Sequence, residues 1–210
     1  MTIASLTIEP MQEKYNQQVS DLLVHGFRSK FQLLTNLPDN RLALFFEKLL
    51  EQVPPGGASQ RMIALQGGEV VGSICIKGKA ESNMKQELLK FPWRDCNRLG
   101  KWNLFKLFLS LYFLDHQPQA GECYIEDISV HPAHQGKGVG KYILQWAQQY
   151  VETNPCLDRL SLYVAEKNQG AKRLYEQLSF CTQAQKESVL QYLLFHEREW
   201  NYMVWKKSNL

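Results

Sequence analysis

The chain has 210 residues, 44% hydrophobic and 21% charged, which allows one domain with a sizeable core and excludes a disordered chain. The net charge of +3 comes from scattered lysines and arginines, so no nucleic-acid partner is expected. The five cysteines are widely spaced with no Cys-x-x-Cys pair, which argues against a zinc site or a disulfide framework and suits reduced thiols in the cytoplasm.

Taken in order, Thr2 to Glu9 alternates apolar and polar residues and predicts a strand ended by Pro10. Tyr15 to Phe27 predicts a helix with Val19, Leu22, Leu23 and Gly26 on one stripe. A second helix is expected from Pro38-Asp39 to Gln52, capped by Asp39 or Asn40 and ended by Pro54-Pro55-Gly56-Gly57. Arg61 to Gln66 and Glu69 to Lys77 flank Gly67-Gly68 as a hairpin.

The segment 78–121 reads as an insert. It predicts a helix over Met84 to Lys90, a break at Phe91-Pro92-Trp93 and a helix over Trp102 to Leu114. Phe105, Phe108, Leu109, Tyr112 and Phe113 are expected to share an apolar face. That face suits core packing or a homodimer partner, or a lid over a pocket. Leu104 to Leu114, the most apolar run, contains Lys106 and falls far short of the ~20 residues that cross a bilayer, so no membrane contact is expected. The N-terminus shows no signal peptide.

From Glu122 the pattern becomes strand, helix, strand, helix. Tyr124 to Val130 is a central strand, and Ile143, Trp146, Ala147, Tyr150 and Val151 mark a helix broken at Asn154-Pro155. Arg159 to Val164 is a strand, and Asn168 to Leu178 a helix. Phe180 to Lys186, a short helix over Ser188 to Phe195 and a strand over Glu199 to Lys206 complete the chain. The pattern predicts a single α/β domain over 1–210 on a mixed sheet.

The chemistry concentrates in Gln135-Gly136-Lys137-Gly138-Val139-Gly140-Lys141, a Gly-rich turn between a strand and a helix. Glycines there let backbone N–H groups crowd around an anion, and the helix dipole adds positive potential. A Walker A loop fails, because Gly140-Lys141 is followed by Tyr142 and the leading glycine is replaced by Gln135. A dinucleotide fingerprint fails because Lys141 takes the place of its third glycine.

Gln135, Gly138 and Gly140 resemble motif A of the GNAT N-acetyltransferase superfamily, whose signature is Gln or Arg, two residues, Gly, one residue, then Gly or Ala. Val130-His131-Pro132 is similar to that family's link into the loop. Asn168, Ala171 and Tyr175 resemble its Asn-x-x-Ala-x-x-x-Tyr motif B. The resemblance covers Glu122 to Phe180 and is compatible with the N-terminal strand, helices and hairpin. Ser179 departs from the glycine often found there, so a different or mildly strained helix end is expected.

The resemblance implies a mostly antiparallel mixed sheet flanked by helices, with the insert between its third and fourth strands. It implies acetyl-coenzyme A as acetyl donor and no metal. The backbone of Gln135, Gly136, Lys137, Gly138, Val139, Gly140 and Lys141 would bind the pyrophosphate. Ile128, Ser129 and Val130 would pair with the pantetheine arm, and a bulge would splay this strand from the next. Asn168 and Tyr175, seven residues or about two helical turns apart, would both face the donor.

Tyr175 would be the general acid, since a phenol suits a departing thiolate. Glu126 and Asp127 are adjacent, so alternation sends them to opposite faces. Glu126 is chosen as base, with Glu122 acting through a water as the other choice. The expected reaction is acetylation of a primary amine, of a small molecule, in one ternary complex. A protein N-terminal or lysine acetyltransferase, or a non-catalytic acyl-coenzyme A sensor, remains open.

Overall fold

The computed structural model describes residues 5–52, 59–79, 99–188, 192 and 196–207. The Pro-Pro-Gly-Gly stop, the helix expected over Met84 to Lys90 and most of the one over Ser188 to Phe195 lie outside them.

Seven strands form one sheet: β1 (Leu6–Pro10), β2 (Ser59–Gln66), β3 (Glu69–Lys77), β4 (Glu122–Val130), β5 (Arg159–Ala165), β6 (Cys181–Glu187) and β7 (Glu199–Lys206). Their spatial order is β1-β2-β3-β4-β5-β7-β6. Every neighbouring pair is antiparallel except β4 and β5. Among the described residues five α-helices flank the sheet: α1 (Asn16–Leu34), α2 (Asp39–Leu50), α3 (Lys101–Leu114), α4 (Val139–Thr153) and α5 (Gln169–Gln177). The expected mixed, mostly antiparallel α/β architecture is present, with α3 between the third and fourth strands.

Two apolar layers sandwich the sheet. On one face α1, α2 and α3 bury Leu22, Phe45 and Leu107 against Ile63, Leu65 and Trp200. On the other, α4 and α5 bury Ile143, Ala147 and Tyr175 against Ile74, Ile125, Leu160 and Leu162. The hairpin turns at Gly67 and Gly68, both with positive φ. β6 is exposed throughout and carries Gln, Lys and Glu, a charged edge that resists further pairing.

Local details differ from expectation. The N-cap of α2 is Pro38, with no side-chain cap bond. Asp39 instead sits in the first turn, favoured by the helix dipole and 3.4 Å from Arg28. The face expected on α3 is split. Leu104, Leu107 and Phe108 are buried, while Phe105 and Tyr112 are exposed, because the helix meets the core along its Leu104–Leu107–Phe108 seam.

Helix α5 ends in a Schellman turn. The Phe180 N–H donates to Tyr175 O and the Ser179 N–H to Glu176 O, both at 3.0 Å. Ser179 takes φ 64°, the left-handed conformation that glycine tolerates best. The mildly strained end expected from the sequence is therefore present. The turn's apolar contact is Tyr175 against Phe180, with ring centroids 5.8 Å apart.

One buried carboxylate ties four segments together. Glu122, 1% exposed at the start of β4, accepts hydrogen bonds from Ser161 on β5, Tyr202 on β7 (2.8 Å), His116 after α3 (3.0 Å) and the Gln119 N–H (2.8 Å). Burial alone would raise its pKa. The donors outweigh that and hold the carboxyl down at about 2.

Replacing Ser179 with Gly should remove the left-handed penalty and stabilise the fold by about 1 kcal/mol, read as a higher urea midpoint; an unchanged or lower midpoint would show that the turn is unstrained. Because the folded pKa of Glu122 lies below the unfolded 4.5, its ionic contribution is complete above that value and fades as pH falls towards about 2. The contribution should be roughly 3 kcal/mol near neutrality. The stability gap between wild type and Glu122→Gln should therefore narrow between about pH 6 and about pH 3. A gap independent of pH would contradict it.

Candidate active site

Strands β4 and β5 pair only from Glu122↔Arg159 to Ile125↔Leu162. Beyond Ile125 they separate, and β4 keeps its other edge on β3 through Ile74↔Ile128, Ser73↔Ser129 and Gly72↔Val130. The gap is a crevice of about 410 Å³, walled by residues 125–129 on one side and by Leu162, Val164, Asn168 and Tyr175 on the other. Among the described residues the edge of β4 facing it has no strand partner beyond Ile125, so its peptide groups are available to an extended ligand.

The register between β3 and β4 slips at Cys75/Ile76. Cys75 pairs with Asp127 and Ile76 with Ile125, which leaves Glu126 as the extra residue of a β-bulge. The expectation that Glu126 and Asp127 point to opposite faces is therefore corrected, because a bulge breaks the two-residue alternation. Both carboxylates meet one face of β3.

Asp127 forms a bidentate pair with Arg61, at 2.7 and 2.6 Å, and Arg61 also donates to Ser73. Burial opposes the guanidinium charge, but Asp127 more than restores it, so the arginine stays protonated. Glu126 Oε2 accepts from Cys75 Sγ at 3.2 Å, and Oε1 lies 3.6 Å from Lys77 Nζ. Burial pushes the Cys75 thiol well up, keeping it a donor. Lys77 is also 2.7 Å from Asp115, beyond α3. Glu122 does not present a base here, since its oxygens are committed to the bonds described above.

At the far end of β4, a 3-10 turn over Pro132–His134 leads into the Gly-rich loop. Gln135 Nε2 donates to Val130 O at 3.1 Å and ties the loop to the strand. Gly136 has φ 73° and Gly138, the N-cap of α4, φ 85°, conformations open to glycine. A Cβ at either would meet nothing within 4 Å, so the space above the loop is clear. The first i→i−4 bond of α4 runs from Tyr142 N to Gly138 O, leaving the N–H groups of Val139, Gly140 and Lys141 ahead of the helical ladder. Lys137 and Lys141 are exposed beside them. Such an arrangement can hold an anion.

On the opposite wall, Asn168 caps α5 by accepting from the Ala171 N–H at 3.2 Å. Its amide is a helix cap as well as a crevice residue. Tyr175, 7% exposed, lies at the crevice, and burial pushes its phenol up to about 12, so it stays protonated near neutrality.

One observation of the structure fits an acyl-coenzyme A donor. Ser129 Oγ is buried and has no hydrogen-bond partner among the described residues, an orphan polar atom on the crevice strand. Gly26 of α1 comes so close that a Cβ there would collide with that hydroxyl. The helix is thus held tight on β4 while the crevice side stays open.

A smaller pocket of about 100 Å³ adjoins the crevice and shares Phe27, Glu126, Tyr163 and Trp200 with it. Its polar lining also includes Asp115, His116, Tyr124 and Lys186. The sequence reading did not single out Arg61, Cys75, Lys77, Asp115 or His116. Only the pairing of distant strands brings them together, and no local spacing marks them.

The Acetyltransferase (GNAT) family model matches residues 30–180. A mycothiol acetyltransferase of Salinispora arenicola is 40% identical over 63 residues, which is 30% of this chain; the chain spans 20% of that protein's length. A spermidine/spermine N-acetyltransferase SpeG from Vibrio cholerae superposes with a TM-score of 0.58 at 14% identity, covering 97% of this chain and 95% of that one. Arabidopsis thaliana NAA60, solved with a bisubstrate analogue, gives 0.61 at 15%, covering 98% and 100%. The putative acetyltransferase yncA of Salmonella typhimurium, solved with acetyl-CoA, gives 0.57 at 13%, covering 99% and 96%. These structural likenesses show the fold. With the family model spanning most of its length, this chain belongs to the acetyltransferase (GNAT) family.

Proposed function

We propose that this protein is an acetyl-coenzyme A-dependent N-acetyltransferase acting on a primary amine of a small molecule. The observation that carries the reading is the parting of β4 from β5 beyond Ile125↔Leu162, with the loop of glycines at one end and Tyr175 on the facing wall. Acetyl-coenzyme A supplies an activated thioester. Gln135, Gly136, Lys137, Gly138, Val139, Gly140 and Lys141 hold its pyrophosphate through backbone N–H groups. Ile128, Ser129 and Val130 present the unpaired strand edge to its pantetheine arm. The Ser129 hydroxyl gains the partner it lacks, and Asn168 shapes the wall through which Tyr175 is aimed.

Glu126 faces the pocket beside the crevice and receives the cationic amine. It draws off the amine's proton, directly or through a water. Tyr175 gives its proton to the thiolate that departs, a role suited to a phenol held protonated by burial. The backbone near Ile128 polarises the thioester carbonyl. The small volume of the pocket and its closure by Phe113 and Leu114 at the end of α3 favour a small acceptor over a peptide. The reading of a non-catalytic sensor lacks a role for Tyr175 and Glu126.

Spermidine, simple alkylamines, an aminoglycoside and a short peptide, each offered with acetyl-coenzyme A, form the acceptor panel, with thiol release as readout. One of the small amines should support turnover; turnover with the peptide alone would favour a protein acetyltransferase. Tyr175→Phe should lower kcat by about 10²-fold or more and leave acetyl-coenzyme A affinity unchanged by calorimetry. Full activity would remove Tyr175 from the chemistry. Gly138→Glu places a side chain and a like charge in the anion cradle and should abolish donor binding, whereas a normal binding isotherm would refute the loop's role.

A further inference from the structure

The pocket beside the crevice contains a second carboxylate-linked group besides Glu126. His116 follows α3 and lines the pocket with Asp115, Tyr124, Glu126 and Tyr163. Its Nε2 lies 3.0 Å from Glu122 Oε1. Glu122 is 1% exposed, and its other donors are Ser161, Tyr202 and the Gln119 N–H. Those donors keep it ionised, so it can only accept. A neutral imidazole carries one N–H. That hydrogen must sit on Nε2, and Nδ1 then carries the lone pair. Nδ1 has no partner among the described residues.

Three tyrosine rings hold the imidazole in place. Their centroids lie 4.5 Å (Tyr124), 5.6 Å (Tyr163) and 5.9 Å (Tyr202) from its own. A buried carboxylate that orients an imidazole and fixes its tautomer is an arrangement for accepting protons. The pocket's two other carboxylates have partners of their own. Glu126 contacts Cys75 and Lys77, and Asp115 contacts Lys77 and Gln117. His116 is thus a proton acceptor fixed in orientation, with its basic atom open.

We propose that the proton Glu126 draws off the acceptor comes to rest on His116, and that Glu122 is the positioning residue of His116. The proposal rests on the acetyl-transfer reading. The ammonium loses one proton through Glu126 to His116 Nδ1, directly or through a water. The freed lone pair forms the C–N bond as the thioester C–S bond breaks, and the thiolate takes the Tyr175 proton. The second proton leaving nitrogen restores Tyr175, and the imidazolium releases its proton to solvent. The sum is one amide, one thiol and one proton.

Two measurements test it. In a long-range ¹H–¹⁵N spectrum of the full chain labelled with ¹⁵N-histidine, without ligand, neutral His116 should be the Nε2–H tautomer. The bias should weaken in Glu122→Gln, whose amide can donate as well as accept. An Nδ1–H tautomer in the wild type overturns the proposal whether or not transfer occurs. In thiol-release assays with the best amine of the panel, His116→Ala should lower kcat/KM by about 10²- to 10³-fold with acetyl-coenzyme A affinity held within about 2-fold. Added imidazole should restore the rate in proportion to its unprotonated concentration. An unchanged rate, or a loss that imidazole does not repair, assigns His116 to packing and overturns the proposal. Failure of the transferase reading shows separately, as wild-type protein that releases no thiol with any amine, and overturns both.

Discussion

Everything at the candidate site depends on two parallel strands that are clamped at one end and free at the other. Glu122 ties the start of β4 to β5 and β7 through Ser161 and Tyr202. The ladder between β4 and β5 then runs only to Ile125↔Leu162. A parallel sheet normally continues, because each unpaired peptide group forfeits a hydrogen bond. Here the bulge at Glu126 shifts the register of β4 on β3, and beyond Ile125 the other edge of β4 has no strand partner among the described residues.

The bulge also sets the electrostatics. By placing Glu126 and Asp127 on one side of the sheet, it would bring two carboxylates together if both were free. Arg61 removes one of them in a bidentate pair. Glu126 is left facing the pocket, beside Lys77 and the protonated Cys75 thiol. The second wall is made rigid in another way. The Schellman turn at Ser179 locks the end of α5, the Asn168 cap locks its start, and Lys172 pairs with Glu166 to pin it to β5. Tyr175 lies between those two restraints, with its ring packed on Phe180.

Much of the fold was legible in the sequence because periodicity is local. The runs Glu69 to Lys77 and Glu199 to Lys206 are strands over those bounds. The loop was legible too, since Gly136 and Gly138 stand where positive φ is needed. Asn168 and Tyr175 were readable from motif spacing, and they do meet one crevice with Ile128 and Ser129. Long-range register was not legible. Alternation alone sent Glu126 and Asp127 to opposite faces, and nothing in the β4 sequence announces a bulge. The seam of α3 was misjudged for a similar reason. Its residues are apolar nearly all round, so periodicity cannot choose a face, and contact with Phe45 on α2 decides. His116 was passed over because its significance lies in Glu122 and three tyrosines, which approach it from three strands.

A crystal structure with acetyl-coenzyme A bound is the most direct test of the central claim. The account predicts the pantetheine arm lying along the unpaired edge of β4 from Glu126 to Val130. The pyrophosphate should rest on the N–H groups of Gln135 to Lys141, and the sulfur should come within hydrogen-bonding reach of the Tyr175 hydroxyl. A donor bound elsewhere, or a complex in which β4 and β5 zip together beyond Ile125, would contradict it.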